Sequence, residues 1–415
     1  MKFEHVRPVY KEIFEKYGNS FCIAPWAALY ISTSGGMSPC CKYKPFITNN
    51  NEVSVKEYIN HPNLKKLRKQ FLRGKKPKEC YDCWNRESCG VNKEQLRWSI
   101  NECPSDELVN DLLSRTLPDG TIVGEQELAH VDVCWTRKCN FACLSCAPGS
   151  SSTILKTSSD IANVFWGKDM SPGTSGLQST QLLEYVRDKK QNNLTKVHLS
   201  GGEPFMQEDL VPFLELLLER GWDKDTSLSI HTNGSVTKNY KDIDVVDYLK
   251  RWRSGVHITM SIDHCGEKGS YIRPGYNDEV WLNNYHKYTD AGLMIKCQTT
   301  LSLLNAPSLG EFAQFCKKNI PNFRSTIGVV QDPKSLAFSN VKLDPNLFKA
   351  TNKSLKKMSK IHDKIWESNI SMLKQISPHP EAIKNFKEGI LLNDKKRNIN
   401  FIDIFPEFET LWNKI

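Results

Sequence analysis

Nowhere in its 415 residues does the chain carry an apolar run long enough to cross a bilayer. The richest apolar stretch, 210–218, is interrupted by Glu215 and falls well short of the ~20 residues that a spanning helix needs. Met1-Lys-Phe-Glu-His5 has no secretory core, so no membrane association is expected and a cytoplasmic location is. Internal repeats and low-complexity linkers are also missing, which excludes solenoid and fibrous designs. Aromatic residues are not interleaved with the basic stretch Lys65-Lys-Leu-Arg-Lys69 and Arg73-Gly-Lys-Lys-Pro-Lys78, as a platform for single-stranded nucleic acid requires. The net charge of +9 helps attract an anionic partner, but nucleic acid is not the expected one.

What is present is a core-forming composition, with 39% hydrophobic and 25% charged residues, and fourteen cysteines. In a long chain expected to be cytoplasmic, clustered cysteines point to metal or redox sites rather than to a disulfide framework. The densest cluster is Cys139-Asn-Phe-Ala-Cys143-Leu-Ser-Cys146, which follows the strand-like segment 128–133. It brings three thiolates within reach of one another and supplies no fourth at that spacing. A four-iron cluster held this way keeps one iron without a protein ligand, open to a substrate or cofactor. The spacing alone also leaves a zinc site, or inert buried cysteines, open.

Downstream, Thr195-Lys-Val-His-Leu-Ser runs into Gly201-Gly202-Glu203-Pro204, where two glycines let a ligand approach the backbone and Glu203 offers a carboxylate to an ammonium. The two motifs, in this order and at strand ends, resemble the radical S-adenosylmethionine (SAM) superfamily. The resemblance implies a 4Fe-4S cluster on Cys139, Cys143 and Cys146 whose open iron chelates SAM. It also implies that Glu203 and the Gly201-Gly202 backbone orient the methionyl end. Many members carry an aromatic residue just before the last cysteine, near the adenine; here it is Ser145.

From residue 128 onward short apolar strands alternate with amphipathic helices, the pattern of parallel β/α units. Strands are expected at 128–133, 196–200, 227–232, 256–262, 294–301 and 326–330, with helices at 181–189, 209–220, 243–252, 280–290 and 309–318. Periodicity allows an open doubly wound sheet as readily as a barrel; the resemblance implies an α/β fold with a partial (β/α)6, TIM-like barrel. Reactive groups of such folds gather at strand ends. The third strand ends in His231-Thr-Asn233-Gly234, where Asn233-Gly234 alone reads as a turn and the resemblance makes Asn233 a cofactor contact. The fourth ends in Ser261-Ile-Asp263 and is followed by Arg273. By resemblance Ser261 and Asp263 lie near the SAM ribose and Arg273 near its carboxylate, roles their hydrogen-bonding chemistry suits. The alternative is a strand-end cap with an ordinary surface ion pair. Leu304-Asn305 and Gln331-Asp332 end later strands and are candidates to face substrate.

Upstream, Cys22 precedes a β-like run at 28–31 and the Gly35-Gly36 turn, after which come Cys40-Cys41, Cys80-Tyr-Asp-Cys83 and Cys89. The set resembles the SPASM/twitch subgroup, in which a cysteine, a glycine-turn cysteine and a later CxxC hold an auxiliary 4Fe-4S cluster; Cys22, Cys40, Cys80 and Cys83 match those positions. The longer two-cluster pattern has a further cysteine after three intervening residues beyond Cys89, where this chain has Lys93, so one auxiliary cluster is expected. In familiar members this module follows the barrel, whereas here it precedes it. A zinc knuckle is the alternative for four cysteines.

The expected organisation is a cysteine-rich module at 1–110, a barrel at 120–345 and a helical extension at 346–415. The expected reaction is reductive SAM cleavage and hydrogen abstraction from a peptide or small-molecule substrate. A peptide oxidation or cross-link with the auxiliary cluster as electron acceptor comes first, and dehydrogenation of a sugar-like alcohol second. An external reductant such as flavodoxin or ferredoxin is implied. The contrasting class is a non-catalytic iron-sulfur or zinc scaffold.

Overall fold

The computed structural model describes residues 7–44, 53–88, 96–125, 127–170, 180–239, 241–321, 323–362 and 365–415. Its strands are β1 (Ala28–Ile31), β2 (Met37–Ser38), β3 (His130–Val133), β4 (Lys196–Leu199), β5 (Ser227–Thr232), β6 (Val256–Ser261), β7 (Met294–Leu301) and β8 (Ser325–Val329). They form one sheet in the order β2-β1-β3-β4-β5-β6-β7-β8, with β2 and β8 as its edges. The pair β1–β2 is antiparallel, and every pairing from β1–β3 onward is parallel.

All six strands expected from alternation are present, within two residues at their starts and ends. The five expected helices are found at Thr180–Asp188, Leu210–Glu219, Val245–Lys250, Asp278–Asp290 and Leu309–Asn319, with further helices at Ser152–Thr157, Ser159–Trp166 and Gly266–Ile272. The run β3 to β8 is the partial α/β barrel. Period-2 alternation explains its two faces. Val131, Val133, Val197, Leu199, Leu228, Ile230, Ile258 and Met260 belong to the apolar core under the helices. The alternate positions, including His130, Asp132, His198, Ser229, His231, His257 and Thr259, therefore face the other side, the barrel interior, and line it with polar groups.

One feature the sequence did not signal is that the upstream hairpin joins this sheet. Tyr30 lies opposite Asp132 and Ile31 opposite Val133, so β1 extends the barrel beyond β3. The N-terminal helices nonetheless keep a core of their own, built from Val9, Ile13, Phe14, Phe21, Trp26, Phe71, Val109 and Leu112 among others. Arg68 ties that region internally: fully buried, it donates to the carbonyls of Gly120, Pro25 and Ile59 at 2.6–2.8 Å. At the other end, the helix Pro345–Ile361 contributes Leu347, Leu355 and Met358 to the barrel's core, and Ile383–Arg397 contributes Phe386 and Ile390.

Candidate active site

The cysteine loop leaves β3 and is pinned from two sides. Ser151 caps the helix Ser152–Thr157 and donates to Phe141 O at 2.6 Å, Ser152 Oγ receives the Cys139 N–H at 3.1 Å, and Thr153 donates to Cys139 O at 2.7 Å. Opposite, Ala142 N and Leu144 N donate to the carbonyls of Pro274 and Ile272 at 2.9 and 3.0 Å. Short polar side chains at a helix start thus satisfy a loop that secondary structure does not.

Donors converge on the sulfurs. Phe141 N lies 3.5 Å and Asn233 Nδ2 3.9 Å from Cys139 Sγ, and Arg273 Nη1 lies 3.8 Å from Cys143 Sγ. Burial pushes the Cys139 thiol up to about 12. Cys143 is held below the usual thiol range by a hydrogen bond from Cys146 and by the Arg273 charge, while Cys146 is raised as the partner that keeps the proton. Three adjoining thiols with an amide and a guanidinium aimed at sulfur suit an anionic inorganic cluster, whose thiolates need such donors.

The Gly-Gly-Glu turn packs against the same loop. Gly201 and Gly202 have φ of 73° and 54°. A Cβ on Gly201 would sit 2.6 Å from Cys134 Sγ, and one on Gly202 would sit 2.5 Å from Lys138 O. Both positions therefore require glycine for conformation and for space. Glu203 N donates to Lys138 O at 2.8 Å, which locks the turn to the cysteine loop. The Glu203 carboxylate is fully buried and accepts from Thr232 Oγ1 and Asn233 N at 2.7 Å and from Phe205 N at 3.2 Å. Burial, opposed by these bonds, pushes it up to about 7. Three of the roughly four lone-pair positions of a carboxylate are taken, leaving one for an ammonium.

Asp263 and Arg273, expected as separate contacts, are paired. Arg273 Nε donates to Asp263 Oδ2 at 2.7 Å, with side chains 14% and 4% exposed. Asp263 Oδ1 accepts from Thr300 N at 2.7 Å. This is a buried pair touching Cys143, not a surface one. Burial works against the Arg273 charge, but Asp263 and Cys143 more than offset it and raise the guanidinium above its ordinary value. Ser261 ends β6, half-buried, and its carbonyl receives Trp281 Nε1 at 3.1 Å.

In the N-terminal region Cys22, Cys40, Cys80 and Cys83 line one cavity with Pro25, Pro39, Leu67, Phe71 and Ile100. None of its wall comes from β3 to β8. Burial, helped by the neighbouring thiols, pushes Cys22 and Cys40 up to about 12. Four converging thiols in an apolar shell fit a fully ligated cluster, which would displace those protons. Among the described residues no group of three or more His, Cys, Asp or Glu side chains is gathered around the centre of a single metal ion. Cys89 lies outside the described residues, and Cys103 donates to Ser99 O at 3.2 Å.

Sequence reasoning passed over a third group on the barrel face. Cys134 Sγ is 3.2 Å from Ser200 Oγ and 3.9 Å from the Tyr30 hydroxyl, and Ser200 donates to Asp132 Oδ1 at 3.5 Å. Burial pushes Asp132 up to about 7, opposed by hydrogen bonds from Ser200 and Cys41 and by Lys196. The signal was a polar residue at every second position, His130, Asp132 and Cys134, in an otherwise apolar strand.

Residues 133–317 match the radical SAM superfamily and residues 22–84 match an iron-sulfur cluster-binding domain, SPASM. The two matches imply a 4Fe-4S cluster with SAM for the barrel and an auxiliary iron-sulfur cluster for the N-terminal region. A GTP 3',8-cyclase from Campylobacter curvus (strain 525.92) is 27% identical over 195 residues, 45% of this chain and 52% of that protein. The molybdenum cofactor biosynthesis protein moc-5 of Caenorhabditis elegans is 26% identical over 230 residues, 47% of this chain and 34% of that protein. The chain thus spans about half, or less, of these curated relatives. Among solved structures, anSMEcpe with bound AdoMet is 14% identical with a TM-score of 0.40, over 60% of this chain and 63% of that one. Streptococcus suis SuiB bound to S-adenosylmethionine is 11% identical with a TM-score of 0.39, over 72% and 63%. No helix among the described residues is long and apolar enough to cross a membrane.

Proposed function

We propose that the protein reductively cleaves SAM and takes a hydrogen atom from a peptide or protein substrate, giving a net oxidation or cross-link with one auxiliary 4Fe-4S cluster as electron acceptor. The observation that carries this reading is the convergence of Cys22, Cys40, Cys80 and Cys83 on one cavity. Four thiols ligate a cluster fully and leave no open iron for substrate, so its role is to move electrons. Cys139, Cys143 and Cys146 hold the other cluster, and SAM bound there supplies a carbon-centred radical.

The chain's own residues then orient and exclude. Gly201 and Gly202 let the methionyl end reach the backbone, and the remaining lone pair of Glu203 takes its ammonium. Asn233 and Arg273 donate to the ligand sulfurs, and Asp263 fixes the guanidinium. Ser261, at the end of β6, is offered to the ribose. Oxidising a carbon removes a proton as well as a hydrogen atom. Asp132 Oδ1, with a carboxyl near neutrality on the barrel face, is the proton acceptor this reading assigns, because a base works best with its pKa near the working pH.

Dehydrogenation of a sugar-like alcohol would use the same groups. The curated relatives add a further reading, radical cyclisation of a purine nucleotide, favoured by the name GTP 3',8-cyclase over the barrel segment. The experiment is anaerobic reconstitution followed by iron and sulfide analysis, then 5′-deoxyadenosine formation with peptide, sugar alcohol or GTP added. Iron for two four-iron clusters and stimulation by peptide are expected. Stimulation by GTP alone would overturn the peptide reading, and iron for one cluster would overturn the acceptor role.

A further inference from the structure

A cavity of about 400 Å³ opens on the outer side of the cysteine loop, and Cys143 itself forms part of its wall. Ala142, Leu144, Ile154, Ile161 and Phe165 give it an apolar lining. Lys396 and Arg397, from the last turn of the helix Ile383–Arg397, stand along one side. Lys396 Nζ donates to Thr157 O at 3.1 Å and pairs with Asp160, which closes the C-terminal helix onto the helix that follows the cysteines. Beside these walls Lys156 and Lys395 are exposed, and Leu155 is 37% exposed next to Lys156. The opposite face of the loop is committed to the Gly-Gly-Glu turn and the barrel. One ligand of the radical cluster is therefore accessible from outside, through an apolar opening with basic residues along one side.

Resting on the radical SAM reading, we infer that this opening is the docking surface of the electron donor, a small acidic carrier protein with a flavin or iron-sulfur centre. Electron transfer needs the two redox centres brought close, and the approach through the opening ends at Cys143 instead of crossing the barrel. An apolar centre with a charged rim is the composition of a transient interface. The chain's net charge of +9 and the local lysines steer an acidic carrier, and steering of this kind acts on the association rate and fades with salt. The carrier gives up one electron per encounter and the cluster at Cys139, Cys143 and Cys146 gains it; no bond is made or broken.

The test measures reduction of the reconstituted protein by stopped-flow absorbance, with reduced flavodoxin in one arm and photoreduced deazaflavin, a small reductant that needs no docking, in the other. Lys396→Glu, and separately the double variant Lys156→Glu/Lys395→Glu at two exposed side chains, are compared with the native chain. The flavodoxin rate is expected to fall about tenfold or more in both variants, within the range charge changes impose on association. The deazaflavin rate is expected to stay unchanged, and the variant effect to shrink at high salt. Unaltered flavodoxin rates mean that the basic wall serves another occupant or none, and overturn the proposal while leaving the radical SAM reading intact. Equal losses with both reductants place the effect on the cluster and also overturn it. A native chain that holds no iron at Cys143 removes both readings together.

Discussion

Replacing Arg273 by methionine isolates the most consequential electrostatic contact of the site. Its Nε is 2.7 Å from Asp263 Oδ2, and both side chains are largely removed from water, at 14% and 4% exposure. At an effective dielectric constant of ~20 the direct attraction is about 6 kcal/mol before desolvation is subtracted. Methionine keeps much of the volume but leaves Asp263 charged and buried, with Thr300 N as its remaining hydrogen bond. Breaking such a pair costs about 3–5 kcal/mol. Urea unfolding of metal-free protein should show that loss in Arg273→Met. Arg273→Met combined with Asp263→Asn should recover about 1–3 kcal/mol of it, the coupling expected between partners in direct contact. The single variant should also bind iron less tightly at the barrel site, since the N–H···S contact to Cys143 at 3.8 Å is lost with it. If Arg273→Met unfolds within about 0.5 kcal/mol of the native chain, the pair has the value of a surface ion pair and the reasoning fails.

Asp132 is raised from 3.8 to about 7, so folding favours its protonated form. The stability it contributes is fully present below pH ~4 and is lost as pH rises through ~7, on the order of 4 kcal/mol in all. Asp132→Asn should flatten the pH dependence of urea stability across that window, and an unchanged profile would show the carboxyl to be solvated. Gly202→Ala places a Cβ 2.5 Å from Lys138 O at φ 54°, whereas Gly221→Ala has a comparable φ of 69° and nothing near. Both should lose the left-handed term of about 1–2 kcal/mol, but only Gly202→Ala should lose more and bind SAM less tightly, as read by denaturation and equilibrium binding. Cys83→Ala should lose the iron of the N-terminal site alone, and Cys143→Ala that of the barrel site alone; loss of all iron in either variant would mean the two sites are not independent.

The β/α alternation was legible because its strands are apolar on the core face and bounded by glycine turns, as at Gly201-Gly202 and Gly234. The joining of β1 to β3 was not, since four residues such as Ala28–Ile31 carry no mark of a partner a hundred residues away. Spacing grouped the cysteines but left zinc open, and only the resemblance named a ligand set; the fold brings Cys22, Cys40, Cys80 and Cys83 to one cavity. The Asp263–Arg273 pair could not: two residues with good separate roles toward a cofactor gave no sign that each would occupy the other. Glu203 stands out in its motif, but its donors Thr232 and Asn233 come from the next strand end and emerge only from the fold. Cys134 and Asp132 belong to no cysteine motif; only the alternation of polar residues at 130, 132 and 134 marks them as turned toward the barrel interior.

The central claim is that Cys139, Cys143 and Cys146 hold the cluster at which SAM is cleaved. Anaerobically reconstituted protein given SAM and dithionite should release 5′-deoxyadenosine, Cys83→Ala should still do so, and Cys143→Ala should not. Cleavage that persists in Cys143→Ala, or none in the native chain at full iron content, would contradict the account.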